Sequence, residues 1–297
     1  MFTKIQVHFG RFLKKPFCEP YYSRKSIHES HIAQTMPKIL FTSDLHLYRD
    51  TLDEVLCAVR NRIAESNPDV LVISGDVSDM PSQNTFGFFG EFDLPVVFCL
   101  GNHEFAHSSV EKTLEKYRHD HEVAVSCRVR NVHCLDTEGH FDTLGIRFYG
   151  NVLWYDGSLY NGLDGTRYMK NIYDGWLDKT IVGFKPLEEH LKCVEQMRNA
   201  QRYARKKTLV LVTHCVPHRK LNLFDIENPM GIPNCYSGVD NLFDSHGIHP
   251  DIALCGHTHR RALYEHRMKN GKGILCYNSG NDYFFKTGEV VFDEIGV

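Results

Sequence analysis

The sequence predicts an α/β fold, built as two sheets or one twisted mixed sheet with helices outside. Three observations lead there. Apolar runs of strand length alternate with longer segments whose apolar residues recur at helical spacing. Most of those runs stop at Asp, Asn or His, which puts chemistry-bearing side chains where the loops of an open α/β sheet converge. With 297 residues, 42% of them apolar, the chain is long enough for a sizeable core.

In chain order, residues 1–36 carry Lys4, Arg11, Lys14, Lys15, Arg24 and Lys25 against Glu19 and Glu29, about +4, so that a net charge of −3 leaves about −7 for the remainder. This N-terminal extension has no clear apolar period and ends at Met36-Pro37, just before the first convincing strand. It is dispensable to the fold pattern and compatible with a loose arm, a partner-binding segment or an upstream start to the reading frame.

A single domain is expected over 37–297. Lys38 to Ser43 reads as a buried strand, and Thr51 to Ser66 as a helix with Leu52, Val55, Leu56, Val59 and Ile63 on one face. Val70 to Ser74 and Pro95 to Leu100 are the next strands, followed by a helix over Ser109 to His119 capped by Ser108 or Ser109. Val132 to Leu135 and Ile146 to Tyr149 are shorter strands. The irregular stretch 151–185 holds both tryptophans, Trp154 and Trp176, and a loop this long in a compact domain reads as a lid or substrate-binding insertion. Pro186 to Lys206 returns to helix, Thr208 to Thr213 is a buried strand, and Ser237 to His246 a short helix. Asp251 to Cys255, Ile274 to Tyr277 and Glu289 to Phe292 complete the strands.

Composition excludes several classes. No window approaches the roughly 18 uncharged apolar residues of a membrane helix, and no secretory apolar run follows the basic N-terminus, so a cytoplasmic protein without membrane contact is expected. The 10 cysteines are scattered without a Cys-x-x-Cys pair, and Cys57, Cys99, Cys255 and Cys276 sit in apolar runs as reduced core residues. The acidic remainder argues against extended nucleic-acid binding.

Histidine, at 18 residues, is where the sequence becomes specific. Five strand ends carry metal-type ligands: Asp44-Leu45-His46, Gly75-Asp76, Gly101-Asn102-His103-Glu104, Thr213-His214 and Gly256-His257-Thr258-His259. Asp-x-His and His-x-His set two ligands on one side of an extended segment, able to converge on one ion. The glycines before Asp76, Asn102 and His257 fit a crowded site that needs φ freedom and close backbone approach. Core histidines satisfied by hydrogen bonds explain any one of these segments, but not all five in this order.

Taken in that order, Asp-x-His, Gly-Asp, Gly-Asn-His-Glu, His and Gly-His-x-His resemble the calcineurin-like metallophosphoesterase superfamily, with motifs spanning 44 to 259 and matching strands from about 38 to 293. The resemblance implies a two-sheet β-sandwich flanked by helices, with a dinuclear metal centre in the strand-end loops. It implies that Asp44, His46 and His259 bind one metal, that Asn102, His214 and His257 bind the other, and that Asp76 bridges them. His103 would lie outside the ligand set as the catalytic residue, binding the phosphate and stabilising the transition state or protonating the leaving oxygen. The implied reaction is phosphomonoester or phosphodiester hydrolysis by attack of a hydroxide shared between the metals, since paired cations acidify a water and stabilise attacking and leaving oxygens together. Mixed nitrogen and oxygen ligands suit manganese, iron or zinc, with manganese or iron expected in at least one position.

Softer candidates surround this set. Glu104 or Asp79 is positioned in sequence to orient a ligating histidine. His218 and Arg219 follow His214 closely enough to reach a substrate, the alternative being a solvated loop. Arg167, Tyr168 and Lys170, flanked by Tyr160, Trp154 and Trp176, form a lid that grips phosphate and stacks on a ring, or aromatics that only pack the insertion.

Departures narrow the branch. Protein serine/threonine phosphatases have glycine after Asp-x-His and an Arg-bearing Gly-Asp segment, whereas this chain has Leu47 and Gly75-Asp76-Val77-Ser78-Asp79-Met80. Purple acid phosphatases place a tyrosine ligand where Asp79 stands. The compact Gly-His-Thr-His ending is similar to the bacterial-type phosphohydrolase and cyclic-nucleotide phosphodiesterase branch, so a small phosphoester, of which a nucleotide is one candidate, is the expected substrate. The alternatives are a nuclease, a protein phosphatase and, from another class, a non-catalytic scaffold like the metallophosphoesterase-like subunit of retromer. Filling of all eight positions favours catalysis.

Overall fold

The computed structural model describes residues 36–79, 84–159, 176–204, 206–223 and 236–297. The order begins β1 (Lys38–Thr42), α1 (Leu52–Ser66), β2 (Val70–Ser74), α2 (Thr85–Phe89), β3 (Val96–Cys99), α3 (Val110–Ser126), β4 (Val132–Cys134), α4 (Leu135–Glu138), β5 (His140–Thr143) and β6 (Ile146–Asn151). It continues with α5 (Pro186–Arg202), β7 (Thr208–Thr213), α6 (Leu242–His246), β8 (Ile252–Cys255), β9 (Ala262–Arg267), β10 (Gly273–Asn278), α7 (Phe284–Thr287) and β11 (Asp293–Gly296).

Two mixed sheets result. The first runs β11-β1-β2-β3-β4 and the second β5-β6-β7-β8-β10-β9. The inner strands β1 to β4 and β6 to β8 pair in parallel within their sheets, and β11, β5 and β9 join antiparallel at edges. Parallel strands are buried on both faces, which explains why they read as unbroken apolar runs. Alternation still sorts their side chains. Ile39, Phe41, Val70, Val72, Val97 and Cys99 of the first sheet meet Phe148, Val210, Val212 and Leu254 of the second. Their neighbours Leu40, Leu71, Ile73 and Phe98 face outward, where Val55, Leu56 and Val59 of α1 cover them. On the far side Tyr149, Leu211 and Ala253 pack under Val194 and Met197 of α5.

Helix α1 buries the expected face, with Leu52 and Ile63 partly covered. Cys57 points away from that face and is exposed, so it is not a core thiol; Cys99, Cys255 and Cys276 are buried. Ser109 caps α3 by accepting from the Lys112 amide, and the helix runs on to Ser126. Leu135 begins a short helix instead of ending a strand, and the helix expected from Ser237 is confined to Leu242–His246 because Gly238 and Asn241 bridge to the loop after β7.

Edge elements were the hardest to foresee. β5 and β9 have exposed faces and polar sequences, so no apolar run announces them. The last strand is Asp293–Gly296, not Glu289 to Phe292. Val291 is engaged elsewhere: its carbonyl accepts from Thr42 Oγ1 at 2.8 Å, and its amide donates to Asn281 Oδ1.

Candidate metal centre and active site

All five ligand-bearing segments meet at the carboxyl ends of β1, β2, β3, β7 and β8. The loops after β1 and β2 are zipped together: the Asp44 amide donates to the Gly75 carbonyl at 3.0 Å, that of His46 to Asp76 at 2.9 Å and that of Leu47 to Val77 at 2.9 Å. Asp44, His46, Asp76, His257 and His259 all take positive φ, between 42° and 70°. Asp and His tolerate this region better than most residues, yet each left-handed residue costs on the order of 1 kcal/mol or more. Five such residues in one cluster mark a site, not a fold requirement.

Glycines make the room. Gly75 has φ +77°, and a Cβ there would strike the His214 ring. At Gly101 and Gly256 φ is ordinary, but a Cβ would fall on the carboxylates of Asp76 and Asp44. The requirement at those two positions is close approach, not conformational freedom.

The ligand-type atoms of Asp44, His46 and His259 lie within 4.8 Å of one another, as do those of Asp76, His214 and His257. Asp76 faces both groups, with Oδ2 at 3.8 Å from His46 Nε2 and 3.2 Å from His214 Nε2. Asn102 Oδ1 joins the second group at 3.0 Å from His214 Nε2. Asp44 receives the His257 amide at 3.0 Å, and its Oδ1 lies 3.8 Å from His259 Nε2. All seven residues read as ligands from the sequence are therefore brought together.

The hydrogen-bond partners of these groups dictate a proton arrangement that fits a cation. His214 Nδ1 stands 3.1 Å from the Ser74 carbonyl and His257 Nε2 stands 3.2 Å from the Tyr236 carbonyl, so each must carry its N–H there. Asn102 donates Nδ2 to Asp178 Oδ1 at 2.8 Å, which turns its Oδ1 inward. The lone pairs of His214 Nε2, His257 Nδ1, Asn102 Oδ1 and an Asp76 oxygen then point at one another, an arrangement that requires a positive charge among them. In the other group, Asp79 Oδ1 holds His46 Nδ1 at 2.8 Å, leaving the buried Nε2 without a partner.

From the protein groups alone, a proton partly meets that demand. Burial opposes ionisation of Asp76, but His214, His103 and His46 overcome it and hold the carboxyl well below the usual range. Burial likewise opposes the charge on His214, yet the Asp76 carboxylate raises it to about 9; burial and the charge on His214 push His257 down to about 3. His103 rises to about 10, because Asp76 and Asp79 outweigh its burial. Cations in the centre would compete with these protons for the same carboxylates.

His103 opens the short 3-10 turn His103–Phe105, where its amide donates to Asp76 Oδ1 at 3.0 Å. Its Nδ1 pairs with Asp79 Oδ1 and its Nε2 faces Asp76 at 3.8 Å. Asp79 thus orients His46, a candidate ligand, as the sequence suggested, and holds His103 as well. Glu104 does something else: its two oxygens accept the amides of Ser78 at 2.8 Å and Gly101 at 2.7 Å, tying two ligand loops together.

A cleft of about 180 Å³ opens onto the cluster, and Trp176, Leu177 and Tyr283 form its walls beside Asp76, Asn102 and His103. Tyr283 lies over His46 and His259 at ring separations of 4.3 and 4.8 Å. A larger groove of about 580 Å³ between α3 and the start of α5 contains none of these ligands, so the chemistry lies in the smaller space.

The substrate candidates fare differently. His218 is buried, stacked on Tyr264 at 4.9 Å and near His266, and its Nδ1 accepts the Lys220 amide at 3.1 Å. Arg219 pairs with Asp240. Neither lines the cleft; His218 is taken up by aromatic packing and Arg219 by its carboxylate partner. Arg167 lies outside the described residues, as do Tyr160, Tyr168 and Lys170. Trp154 packs inside the core against Phe105 and Phe184, whereas Trp176 reaches the cleft.

Sequence reading missed Asp178. It is fully buried and accepts from Asn102, from Tyr155 Oη at 2.7 Å and from Trp176 Nε1 at 3.0 Å, so it sets the Asn102 amide. No motif surrounds it. Tyr283 and Asn281 were also missed, the latter holding Thr42 Oγ1 at 2.7 Å and the Ser43 carbonyl at 2.6 Å.

Residues 37–261 match the family model of calcineurin-like phosphoesterases. Among solved structures, the phosphopantetheinyl hydrolase of Mycobacterium tuberculosis is similar at 14% identity, with a TM-score of 0.57 over 88% of this chain and 96% of that one. A dimetal phosphatase from Danio rerio gives 11% identity and a TM-score of 0.53 over 89% and 93%. No curated protein is matched by the sequence. No helix among the described residues is long and apolar enough to cross a membrane. The family match covers most of the chain and contains every strand end of the cluster, so this chain belongs to the calcineurin-like phosphoesterases and is a metal-dependent phosphoric ester hydrolase.

Proposed function

We propose that the chain hydrolyses a small phosphomonoester or phosphodiester of nucleotide type, with Asp44, His46 and His259 holding one ion, Asn102, His214 and His257 the other, and Asp76 shared. The observation that carries this reading is the cleft: it is small, it ends on His103 and Asp76, and two aromatic side chains wall it. A phosphoryl group fills such a space, and Trp176 or Tyr283 offers a face for a ring on the leaving group. Among the described residues its lining has no Lys or Arg, which weighs against a polyanionic substrate.

Two ions bound there supply Lewis-acid polarisation of phosphoryl oxygens and a water acidic enough to act as nucleophile near neutral pH. Asp76 draws the two ligand groups together, and Asp178 keeps the Asn102 oxygen inward. His103 donates from Nε2 to a phosphoryl or leaving oxygen, because Asp79 occupies Nδ1 and favours the imidazolium. Trp176 and Tyr283 limit water at the reacting phosphorus.

Mixed nitrogen and carboxylate ligands support manganese or iron in at least one position. The free thiols among the described cysteines, including buried Cys99, Cys134 and Cys215, support a reducing, cytoplasmic setting.

The test is a product panel with manganese- or iron-reconstituted protein, covering cyclic nucleotides, linear diesters, monoesters and phosphopeptides, with His103→Ala as control. Turnover of a nucleotide-type ester that collapses in the control is expected. Preference for phosphopeptides, or metal-loaded protein inactive on every ester, overturns the reading in favour of a protein phosphatase or a scaffold.

A further inference from the structure

Among the described residues, one more group of ligand-type side chains converges outside the cleft. Asp156 lies in the segment leaving β6, His190 on α5 and His246 at the last position of α6, with ligand-type atoms within 4.8 Å of one another. The rings of His190 and His246 are 5.1 Å apart at 65°.

His190 carries the argument. It is almost wholly buried, and its Nδ1 stands 2.6 Å from the Trp154 carbonyl, which fixes the N–H on that nitrogen. Nε2 is therefore a lone pair, and it is buried without a hydrogen-bond partner. A buried histidine that donates one nitrogen to a backbone carbonyl and keeps the other bare, beside a second histidine and a carboxylate, has the arrangement of a metal ligand. Asp156 uses Oδ1 to accept the Ser158 amide at 2.8 Å, which orients the carboxylate and leaves Oδ2 for another partner. Arg198 anchors the His246 carbonyl at 2.9 Å, fixing the end of α6 against α5. Ligands about 2 Å from a common zinc ion sit roughly 3.3 Å from one another, so with separations within 4.8 Å the group needs closure of at most about 1.5 Å.

We propose that Asp156, His190 and His246 form a separate site for a borderline divalent transition metal of the zinc class, pinning the segment after β6 to two outer helices. Two imidazoles and one carboxylate select zinc, nickel or cobalt over magnesium and calcium. The site is independent of the phosphoesterase reading, sharing no ligand with the cleft.

The experiment uses the full chain, dialysed against buffered Zn²⁺ and counted for bound metal, beside His246→Ala and Asp156→Asn. Both positions are partly exposed, so these variants keep the buried His190 packing. Wild type is expected to hold one more zinc per chain than either variant, with affinity at that site falling by more than about 100-fold, the upper end of losses seen for outer-shell changes. Repeating the titration in an Asp76→Asn background removes the contribution of the cleft, and a zinc-dependent rise in Tm should persist there and vanish on adding His246→Ala. Equal zinc counts and equal affinities in wild type and both variants would overturn the site, as would a zinc-dependent Tm rise indifferent to His246.

Discussion

His214 and His218 leave the same strand four residues apart and meet opposite surroundings. His214 faces Asp76, Asn102 and His257, and the Asp76 carboxylate lifts it to about 9 against its burial. His218 is buried among Tyr264, Phe243 and His266, and burial with the charge on His266 lowers it to about 4. One region gathers lone pairs that need a cation; the other excludes charge. Neither strand-end position nor residue type separates them. The partners of the ring nitrogens do.

The sharpest way to break this contrast is Asp76→Asn. It removes the charge shared by both ligand groups, so hydrolysis should fall to background and metal content should drop at both positions, whereas Asp44→Asn should empty mainly one. Elemental analysis beside activity decides it, and two metals retained in Asp76→Asn would remove the bridge. Next in size is His103→Ala, expected to lower kcat about 10²- to 10⁴-fold with metal content unchanged; a loss of metal instead would make His103 a ligand. Asp178→Asn should cost about 10- to 100-fold in activity or metal affinity, because the Asn102 amide loses its anchor. Unaltered kinetics and metal affinity would show that Asn102 orients itself.

The smallest effect on hydrolysis is expected from His218→Phe, whose signature is in stability. The folded pKa of about 4 lies below the ordinary 6.5, so the unfolded chain binds the extra proton between those values. The contribution is complete above pH 6.5 and is lost as pH falls toward 4, on the order of 3 kcal/mol across the window. Denaturant midpoints measured through that window should slope less in His218→Phe than in wild type. An unchanged slope would place the acid sensitivity elsewhere.

Much of the centre was legible because each ligand sits at the end of a strand buried on both faces, and such strands announce themselves as apolar runs. The five strand-end segments could be grouped from the sequence because the loops converge, and the family resemblance singled out Asp44, His46, Asp76, Asn102, His214, His257 and His259 within them. What supports them was not legible. Asp178 lies 76 residues from the Asn102 it orients, and Val291 looks like a strand residue but serves Thr42 and Asn281. Strands β5 and β9, at sheet edges, lack the two-sided burial that makes inner strands readable, and Cys57 shows that an apolar run on a helix still has an outer face.

The bond from Trp176 to Asp178 has a practical use. Trp154 is sealed in the core, while the Trp176 indole shares a carboxylate with Asn102 and lies 6.1 Å from the His257 ring. Any event that reorients the Asn102 amide or places a paramagnetic ion beside His257 should alter the emission of this one indole, giving the protein an intrinsic optical gauge of loading that needs neither a substrate nor a label.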